Sequence, residues 1–559
     1  MKKVLALVCI LVFATSARSQ FSRYVVVLKD KNNSPYNLNN PSAFLSGKSI
    51  ARRTRQNIGL DSTDLPIVPA YLDSIAASGP VTILNKSKWL NQVLIQSADA
   101  AALARIQSFP FVKFISGIAP RVAANAVSNR DKFNEQITGV SGTKGVQGAN
   151  DFFNYGNMYP QIHIHEGEYL HNNGFRGEGM TIAILDGGFF HYDTNPAFDS
   201  VRLQNRVLGT WDFVKNESSV TEDNIHGMYC FSIIASNVPG SLIGTCPKAN
   251  FYLFRTEDVA TEYPLEEQNW VAAAEVADSL GVDLITSSLG YSEFDNPGFN
   301  HTYADMNGKN TIVTRGADLA VQKGMIVTNS AGNSGNESWH YVIAPADGDS
   351  VLTVGAVNSS GQIASFSSYG PSYDGRIKPN VASVGWGTVI AGATGNPASG
   401  SGTSFSNPNL AGLVTCLWQA FPDFSNMEIL DAVQKSSSQY ASPDDRVGFG
   451  IPNMRVAYDL LAAKRVIRNA NNVLANDWLK TYPIPFTNAF TVLLKGQLTG
   501  KATLVLFDAA GRQLTMKTQD TESDQLYFIS FSQLQSLPAG VYLLKYSDAK
   551  TKRTIKILK

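Results

Sequence analysis

The sequence predicts an α/β fold built on a parallel sheet in its middle, with a smaller β-containing block on either side. Short, continuous apolar runs recur between residues 156 and 465, and helical patterns separate them. Strands that are buried on both faces and alternate with helices are typical of a parallel sheet. Strands interleaved with two helices predict an α+β domain over residues 20–120, and alternating strands over residues 466–559 predict an antiparallel β-sandwich.

The composition fits a folded chain of several domains. Of the 559 residues, 44% are hydrophobic, which supplies enough apolar material for real cores and excludes wholesale disorder. Lys plus Arg and Asp plus Glu both number 46, so the formal net charge is zero. Nucleic-acid binding through counterion release needs a basic surplus, and that class of function is therefore not expected.

The N-terminus has the pattern of a secretory signal peptide over residues 1–19. Lys2 and Lys3 precede the apolar run Val4–Phe13, and Ala17–Ser19 supplies a small-x-small cleavage site. The run is too short to span a bilayer, and no other stretch reaches 18 uninterrupted apolar residues. We therefore expect an exported chain without a transmembrane helix.

The N-terminal block divides into clear elements. Its predicted strands and helices are Tyr24–Leu28, a basic helical stretch around Ala51–Arg55, a strand region Val81–Ile95, a helix Asp99–Ile106 and a strand near Phe111–Ile115. Residues 121–155 are polar and have no sustained apolar period, which predicts a linker or processing region.

The central block, residues 156–465, supplies the strands of the parallel sheet, and the C-terminal block supplies those of the sandwich. The central strands are predicted at Thr181–Leu185, Phe251–Phe254, Val282–Thr286, Met325–Thr328 and Val351–Val354. The C-terminal strands are predicted at Phe490–Leu494, Ala502–Phe507 and Val541–Tyr546. In parallel sheets the chemistry lies at the carboxyl ends of the strands.

Three cysteines remain once the signal peptide is removed. Because the number is odd, one intramolecular disulfide at most can form. Cys230 and Cys246 are the nearest pair in sequence, and the alternative is that Cys230, Cys246 and Cys416 are three buried small side chains.

Three segments place an acid, an imidazole and a hydroxyl on turns. Asp186 ends a buried strand before two glycines, His226 opens an apolar helix, and Ser404 begins another helix within Gly402–Pro408. A serine hydroxyl needs a neutral imidazole to take its proton, and a carboxylate to orient that imidazole. Taken singly, the three residues are more readily explained as a turn former, a helix cap or surface residue, and an N-cap.

Taken together, the segments resemble the signatures of the subtilisin-like serine proteases. The chain order Asp, His, Ser is that of subtilisin, and the resemblance covers roughly residues 170–460. It implies a subtilisin-like catalytic domain in which Asp186, His226 and Ser404 are catalytic. Further landmarks of the family are Asn195–Phe198, Gly244–Pro247, Ser288–Gly290 and Ala331–Asn333. The chain departs from the usual pattern at Met228, Tyr229, Phe405 and Asn409, positions that bear on the shape of the pocket.

Two further roles follow around this triad. Attack on a peptide carbonyl places negative charge on oxygen, and the side-chain amide of Asn333 with the backbone N–H of Ser404 would supply two donors for it. The resemblance also implies that Ser288, Leu289 and Gly290 bind substrate backbone as an added strand.

The flanking blocks resemble parts of the same system. By position and pattern, residues 20–120 resemble the inhibitory N-terminal prosegment of these proteases. The C-terminal block resembles the type IX secretion sorting domain, through Tyr482–Phe486, Phe507–Arg512, Leu537–Tyr542 and a basic end. This implies secretion or surface display through the periplasm and outer membrane of a Gram-negative cell, with the secretion machinery as a partner. The alternative for this block is an adhesive β-sandwich.

The sequence therefore predicts a secreted serine endopeptidase that hydrolyses protein or peptide substrates through an acyl-enzyme intermediate. The alternative is a catalytically silent or narrowly specific surface protein that keeps the protease fold. No cofactor is expected for the chemistry; structural calcium is common in the family, but no loop of this sequence identifies its ligands. A metal site formed by His163, His165, Glu166 and His171 is disfavoured, and solvated or capping histidines are expected there.

Overall fold

The computed structural model describes residues 21–120, 132–133, 135–140 and 147–559. The predicted signal peptide and most of the predicted linker before residue 147 lie outside these ranges. The chain forms two compact units, one that ends at Tyr458 and one that spans Asp459–Lys559. Among the described residues, no helix combines the length and the apolar character needed to cross a membrane.

The N-terminal block is an α+β domain, as the sequence predicts. Its four-stranded antiparallel sheet has the order β2-β3-β1-β4, and its core contains Val26, Val93, Ile95 and Ile106. One helix, α2, was not predicted. The elements are β1 (Phe21–Leu28), α1 (Gly47–Arg55), α2 (Pro69–Ala76), β2 (Thr82–Ser87), β3 (Gln92–Gln96), α3 (Ala100–Ser108) and β4 (Val112–Pro120).

A seven-stranded parallel sheet forms the centre of the first unit, in the order β14-β13-β12-β11-β6-β10-β7. The strand β5 (Thr138–Gly139) precedes it in the chain. The first part contains α4 (Tyr159–His163), α5 (Gly167–Asn172), β6 (Thr181–Asp186), α6 (Asp199–Leu203), β7 (Val207–Asp212), α7 (His226–Ala235), β8 (Asn237–Val238), β9 (Leu242–Ile243), β10 (Asn250–Arg255) and α8 (Leu265–Leu280). The second part of the unit contains β11 (Leu284–Ser287), α9 (Ile312–Gln322), β12 (Ile326–Ser330), β13 (Leu352–Val357), β14 (Val381–Val384), β15 (Thr388–Ala391), β16 (Pro397–Gly400), α10 (Thr403–Ala420) and α11 (Asn426–Lys435). The last helix, α12 (Met454–Val473), includes residues of both units.

The strand order of the parallel sheet predicts where a binding crevice lies. The chain leaves β6 toward β10 and β7 on one side, and returns to β11 on the other side of β6. At such a switch point the loops that follow neighbouring strands separate and leave a crevice at their carboxyl ends. Asp186 ends β6, and Ser288 directly follows β11, so both lie at this crevice.

The N-terminal domain is joined to the central domain by buried charges. Arg52 and Arg53 of α1 are 2% exposed, and both donate to the carboxylate of Asp278 on α8 at 2.5 and 2.9 Å. Arg53 also pairs with Asp64 of its own domain at 2.8 Å. The basic helical stretch seen in the sequence is therefore part of a buried interface.

The C-terminal unit is an antiparallel β-sandwich of two sheets, with the orders β17-β18-β21 and β20-β19-β22-β23. Alternate residues of the strands, among them Val492, Leu494, Leu504 and Leu506, are fully buried between the sheets. The parallel α/β sheet, the α+β domain and the sandwich confirm the predicted fold class. The strands are β17 (Leu479–Tyr482), β18 (Phe490–Lys495), β19 (Gly500–Phe507), β20 (Gln513–Thr521), β21 (Leu526–Phe531), β22 (Val541–Ser547) and β23 (Lys552–Leu558).

Candidate active site

Asp186 and His226 form a buried, hydrogen-bonded pair. Asp186 is the last residue of β6 and His226 the first of α7, and Asp186 Oδ1 lies 2.7 Å from His226 Nδ1. The backbone N–H of Gly187 donates to the same oxygen at 2.7 Å. Burial by itself would lower the pKa of His226, but the nearby carboxylates, Asp186 foremost, raise it well above its ordinary value.

Ser404 lies in the first turn of α10, and Pro408 shapes its surroundings. Proline has no N–H, so the carbonyl of Ser404, four residues earlier, lacks its usual helical donor. It accepts instead from the hydroxyl of Ser288 at 2.8 Å and from the thiol of Cys230 at 3.3 Å. These bonds connect the start of α10 to the loop after β11 and to α7.

The side-chain amide of Asn333, three residues after β12, is fixed by Thr403. Its Oδ1 accepts from the backbone N–H and from the hydroxyl of Thr403, both at 2.8 Å. With its oxygen engaged in this way, the amide nitrogen is left to face Gly402: a Cβ on that glycine would lie 3.4 Å from Asn333 Nδ2. An N–H donor is thus held beside Ser404.

The predicted substrate-binding turn lies in the same cleft. Ser288, Leu289 and Gly290 line a space of about 490 Å³ together with Asn333 and Ser404. The structure thus brings together every residue that the sequence singled out for the site.

A segment of the chain itself occupies this cleft. The ring of Phe133 stacks on the imidazole of His226, with 4.2 Å between the ring centroids. Farther along, β5 pairs antiparallel with β16, which ends just before α10, in the register Gly139 to Ala398 and Thr138 to Ser399. Described residues of the segment 132–140 therefore contact both His226 and the strand that leads into α10.

Two glycines make room for this segment. A Cβ on Gly187 would lie 2.5 Å from the ring of Phe133, and one on Gly402 would lie 2.9 Å from Glu135 Cγ. Both distances are too short for a larger residue without movement of the segment. Gly187 and Gly402 belong to the signatures that the sequence identified, but their contact with residues 133 and 135 was not predicted.

Glu135 lies against both the hydroxyl of Ser404 and the imidazole of His226. Its Oε1 accepts a 2.8 Å hydrogen bond from Ser404 Oγ and lies 3.5 Å from His226 Nε2, and its side chain is 7% exposed. Burial would raise the pKa of this carboxyl, but His226 foremost, with the Ser404 hydrogen bond, lowers it below its ordinary value. Sequence reasoning missed Glu135, because the polar stretch around it has no periodicity; its only signal was its position between two folded domains.

Lys132 is held at the other end of the segment. Its ammonium lies 2.9 Å from Glu262 and 3.6 Å from Glu257, and it also donates to Glu266. Burial would lower the pKa of Lys132, but the three carboxylates raise it above its ordinary value. None of these four residues was singled out from the sequence.

The three cysteines of the described chain form no disulfide bond. Cys230, Cys246 and Cys416 are buried and free, which agrees with the alternative of three small buried side chains. Closeness in sequence was a poor guide, because Cys246 contacts Cys416 instead, with 3.5 Å between the sulfurs.

The histidines between 163 and 171 form separate hydrogen bonds. His165 bonds Ser383 and the carbonyl of Pro452, and His171 bonds Tyr155 and the carbonyl of Thr245. Both imidazoles are fully buried, and burial lowers the pKa of each to about 4. The expectation that these histidines are solvated or capping was wrong for these two; they satisfy buried carbonyls and hydroxyls.

Comparison with known proteins agrees with this arrangement. The family model described as the subtilase family matches residues 177–450, and the model of the peptidase S8 propeptide domain of Bacteroidota matches residues 23–135. The model of a secretion system C-terminal sorting domain matches residues 480–559. The chain therefore carries a propeptide and a type IX sorting domain, and it is a secreted or cell-surface protein.

Two relatives illustrate the similarity. Subtilisin NAT of Bacillus subtilis subsp. natto is 29% identical over 292 residues, which is 52% of this chain and 68% of the relative. Thermitase of Thermoactinomyces vulgaris is 30% identical over 246 residues, which is 43% of this chain and 75% of the relative. With its parallel sheet, its propeptide and its Asp, His and Ser in this order, the chain belongs to the subtilase family of serine endopeptidases.

Proposed function

We propose that this chain is the precursor of a secreted endopeptidase that cleaves proteins through Asp186, His226, Ser404 and Asn333. The observation that carries the proposal is the segment 132–140: its Phe133 and Glu135 lie against His226 and Ser404, and its strand β5 pairs with β16. A cleft that binds this peptide beside an activatable serine has the geometry for peptide-bond hydrolysis.

The chemistry follows from the positions of the side chains. Once the segment leaves, His226 Nε2 accepts the proton of Ser404 Oγ as that oxygen attacks the substrate carbonyl. Asp186 holds His226 Nδ1 at 2.7 Å, which fixes the tautomer and stabilises the imidazolium. His226 then gives its proton to the leaving amine, which departs and leaves the acyl group on Ser404. Water, deprotonated by His226, hydrolyses this ester and restores the serine.

The negative oxygen of each tetrahedral intermediate needs donors that are in place beforehand. The first backbone N–H groups of a helix have no partner within it, and that of Ser404 in α10 is one of these. The amide of Asn333, fixed by its two bonds to Thr403, supplies a second donor. No step requires a cofactor.

A fluorophosphonate, which reacts with activated serines, tests this proposal on protein produced from the full chain and allowed to mature. We expect one adduct, on the peptide that contains Ser404, together with loss of casein cleavage. The full chain with Ser404→Ala is the matched control and should take no label. Absence of both label and casein cleavage in the wild-type protein would favour the alternative, a surface protein that keeps the fold without the activity.

A further inference from the structure

Three glutamates converge at one side of the active-site cleft. Glu257 follows β10 at the carboxyl edge of the sheet, Glu266 lies in the first turn of α8, and Glu262 lies in the loop between them. Their side chains are 3%, 1% and 14% exposed, respectively. Fixed donors hold two of them: Tyr291 donates to Glu257 at 2.6 Å, and the backbone N–H of Asp258 donates to Glu266 at 2.8 Å.

The cluster holds a cation, the ammonium of Lys132. All three carboxylates contact it, and the lysine side chain is 10% exposed. Lys132 belongs to the segment that fills the cleft, within the propeptide match that ends at residue 135. The ion is therefore supplied by a part of the chain that must leave before any substrate can bind.

Removal of Lys132 takes its ammonium away from three carboxylates that lie close together. Burial raises the pKa of Glu262 to about 7 against the opposing effect of Lys132, and it raises the pKa of Glu257 and of Glu266 as well. Buried carboxylates are costly unless they are paired or protonated. A cation that returns to the same place restores the ion pairs.

The position of the cluster along a bound peptide follows from Phe133, the residue after Lys132. Phe133 stacks on His226, and Lys132 directly precedes it. The cleft of about 490 Å³ that contains Glu257 and Glu262 also contains Ser288 and Ser404. A substrate that runs through the cleft as this segment does would direct one side chain into the cluster.

We propose that Glu257, Glu262 and Glu266 form a specificity subsite for a lysine or arginine side chain of the protein substrate. The selected residue is the one that precedes the residue packed on His226. Lys132 is the internal occupant of this subsite in the precursor. The inference rests on the proposed function, since it concerns the choice of substrate at the same cleft.

Matched peptides test the subsite without altering the enzyme. Peptides with the sequence of residues 128–140 would carry Lys, Arg or norleucine at position 132; norleucine keeps the aliphatic chain and lacks the charge. We expect kcat/KM for Lys and Arg to exceed that for norleucine by about tenfold or more, because an uncharged side chain leaves the buried carboxylates unpaired. Mass spectrometry of the products shows whether all three peptides are cut at the same bond.

Two enzyme variants locate the preference in the cluster. Glu262→Gln, at the most exposed of the three positions, should reduce the preference for Lys over norleucine to about threefold or less. Glu337→Gln is the matched control, because Glu337 lines the same cleft but is not one of the three carboxylates around Lys132. It should retain the full preference.

The outcomes separate the two proposals. Equal kcat/KM for Lys and norleucine peptides, in a protein that cleaves casein and labels at Ser404, would overturn the subsite and leave the endopeptidase intact. A full preference that survives Glu262→Gln, or one that disappears in Glu337→Gln, would also overturn it. Failure to cleave any peptide or casein, with no label on Ser404, would overturn the proposed function and the subsite with it.

Discussion

Glu135 accepts a 2.8 Å hydrogen bond from the hydroxyl of Ser404. The proton that His226 would have to accept is therefore directed to a carboxylate of the chain itself. The same carboxylate oxygen lies 3.5 Å from His226 Nε2, which finds no hydrogen-bond partner among the described residues. In this arrangement the nucleophile and its base are kept apart until the segment leaves.

The contact between Glu135 and His226 should depend on pH. The pKa of His226 is raised from 6.5. The stability that protonated His226 gives to the precursor is therefore complete below pH 6.5 and is lost as the pH rises through the raised value. The pKa of Glu135 is lowered from 4.5, so its contribution is complete above pH 4.5 and is lost as the pH falls through the lowered value. In a full chain with Ser404→Ala, hydrogen exchange of residues 135–140, corrected for intrinsic rates, should be slower at pH 5.5 than at a pH above the raised pKa of His226.

Glu135→Gln in the same background is the control for this pH effect. Glutamine keeps the size of the side chain but removes its charge, so the difference between the two pH values should become much smaller. An unchanged pH dependence in the glutamine variant would show that Glu135 and His226 do not interact in this way.

Ser404→Ala should abolish peptide cleavage while the fold stays intact. Loss of this hydroxyl removes the nucleophile, and the corresponding change costs about 10⁶-fold in kcat in subtilisin itself, a member of the same family. Circular dichroism would verify the fold, and cleavage of a fluorogenic peptide would measure the activity. A variant that kept more than a few per cent of wild-type turnover would exclude Ser404 as the nucleophile.

Asn333→Ala should reduce kcat less than Ser404→Ala does. The amide donates to an oxygen that is negative only in the transition state, so kcat should fall while KM changes little. One such donor is worth about 10²–10³ in kcat, a figure that was also measured on subtilisin. Steady-state kinetics with active-site titration separates the two constants, and a rise in KM at unchanged kcat would contradict this role.

Residues 20–140, added as a separate fragment, should inhibit the mature protease stoichiometrically, because they include both the residues that lie against Ser404 and His226 and the docking helix α1. In the precursor Arg52 donates to Asp278 and to the backbone carbonyls of Val282 and Lys323. Arg52→Ala should weaken inhibition about 30-fold or more, because it leaves two buried carbonyls without their donor and leaves Asp278 with one of its two arginine partners, Arg53.

Arg55→Ala is the matched control on the same helix. Arg55 is 36% exposed and lies 4.0 Å from Asp283, and exposed ion pairs of this kind contribute little. Its loss should change the inhibition constant by less than about tenfold. Equal effects of the two substitutions would place the binding energy elsewhere, and no inhibition by the wild-type fragment in large excess would make this block an unrelated accessory domain.

Removal of residues from about 476 to 559 should stop export beyond the periplasm without loss of catalysis. Asp459–Lys559 is a compact unit with its own core, and the candidate catalytic residues all precede it. Cell fractionation would locate the truncated protein, and a reporter fused to this segment should be exported. Normal levels of the truncated protein in the medium would assign the sandwich to substrate or surface binding instead.

Local sequence was sufficient for most of the fold, whereas the candidate triad followed from the resemblance of three separate segments, taken together, to the signatures of one family. Asp186, His226 and Ser404 each stand where a buried strand ends or an apolar helix begins, and such boundaries leave a pattern within a few residues. Apolar periodicity likewise predicted the parallel sheet and the sandwich, because burial of a strand is recorded in its own residues.

Tertiary structure alone decided what fills the cleft. Glu135 reaches Ser404 across 269 positions of sequence, and Arg52 reaches Asp278 across 226. Contacts of this kind depend on how separately folded elements dock, and a polar stretch without periodicity carries no record of its partner. The same holds for Cys246, which contacts Cys416 at 170 positions' distance rather than the nearer Cys230. The sequence thus determined which groups could perform the chemistry, whereas long-range packing of buried charges determined that the precursor holds its own peptide against them.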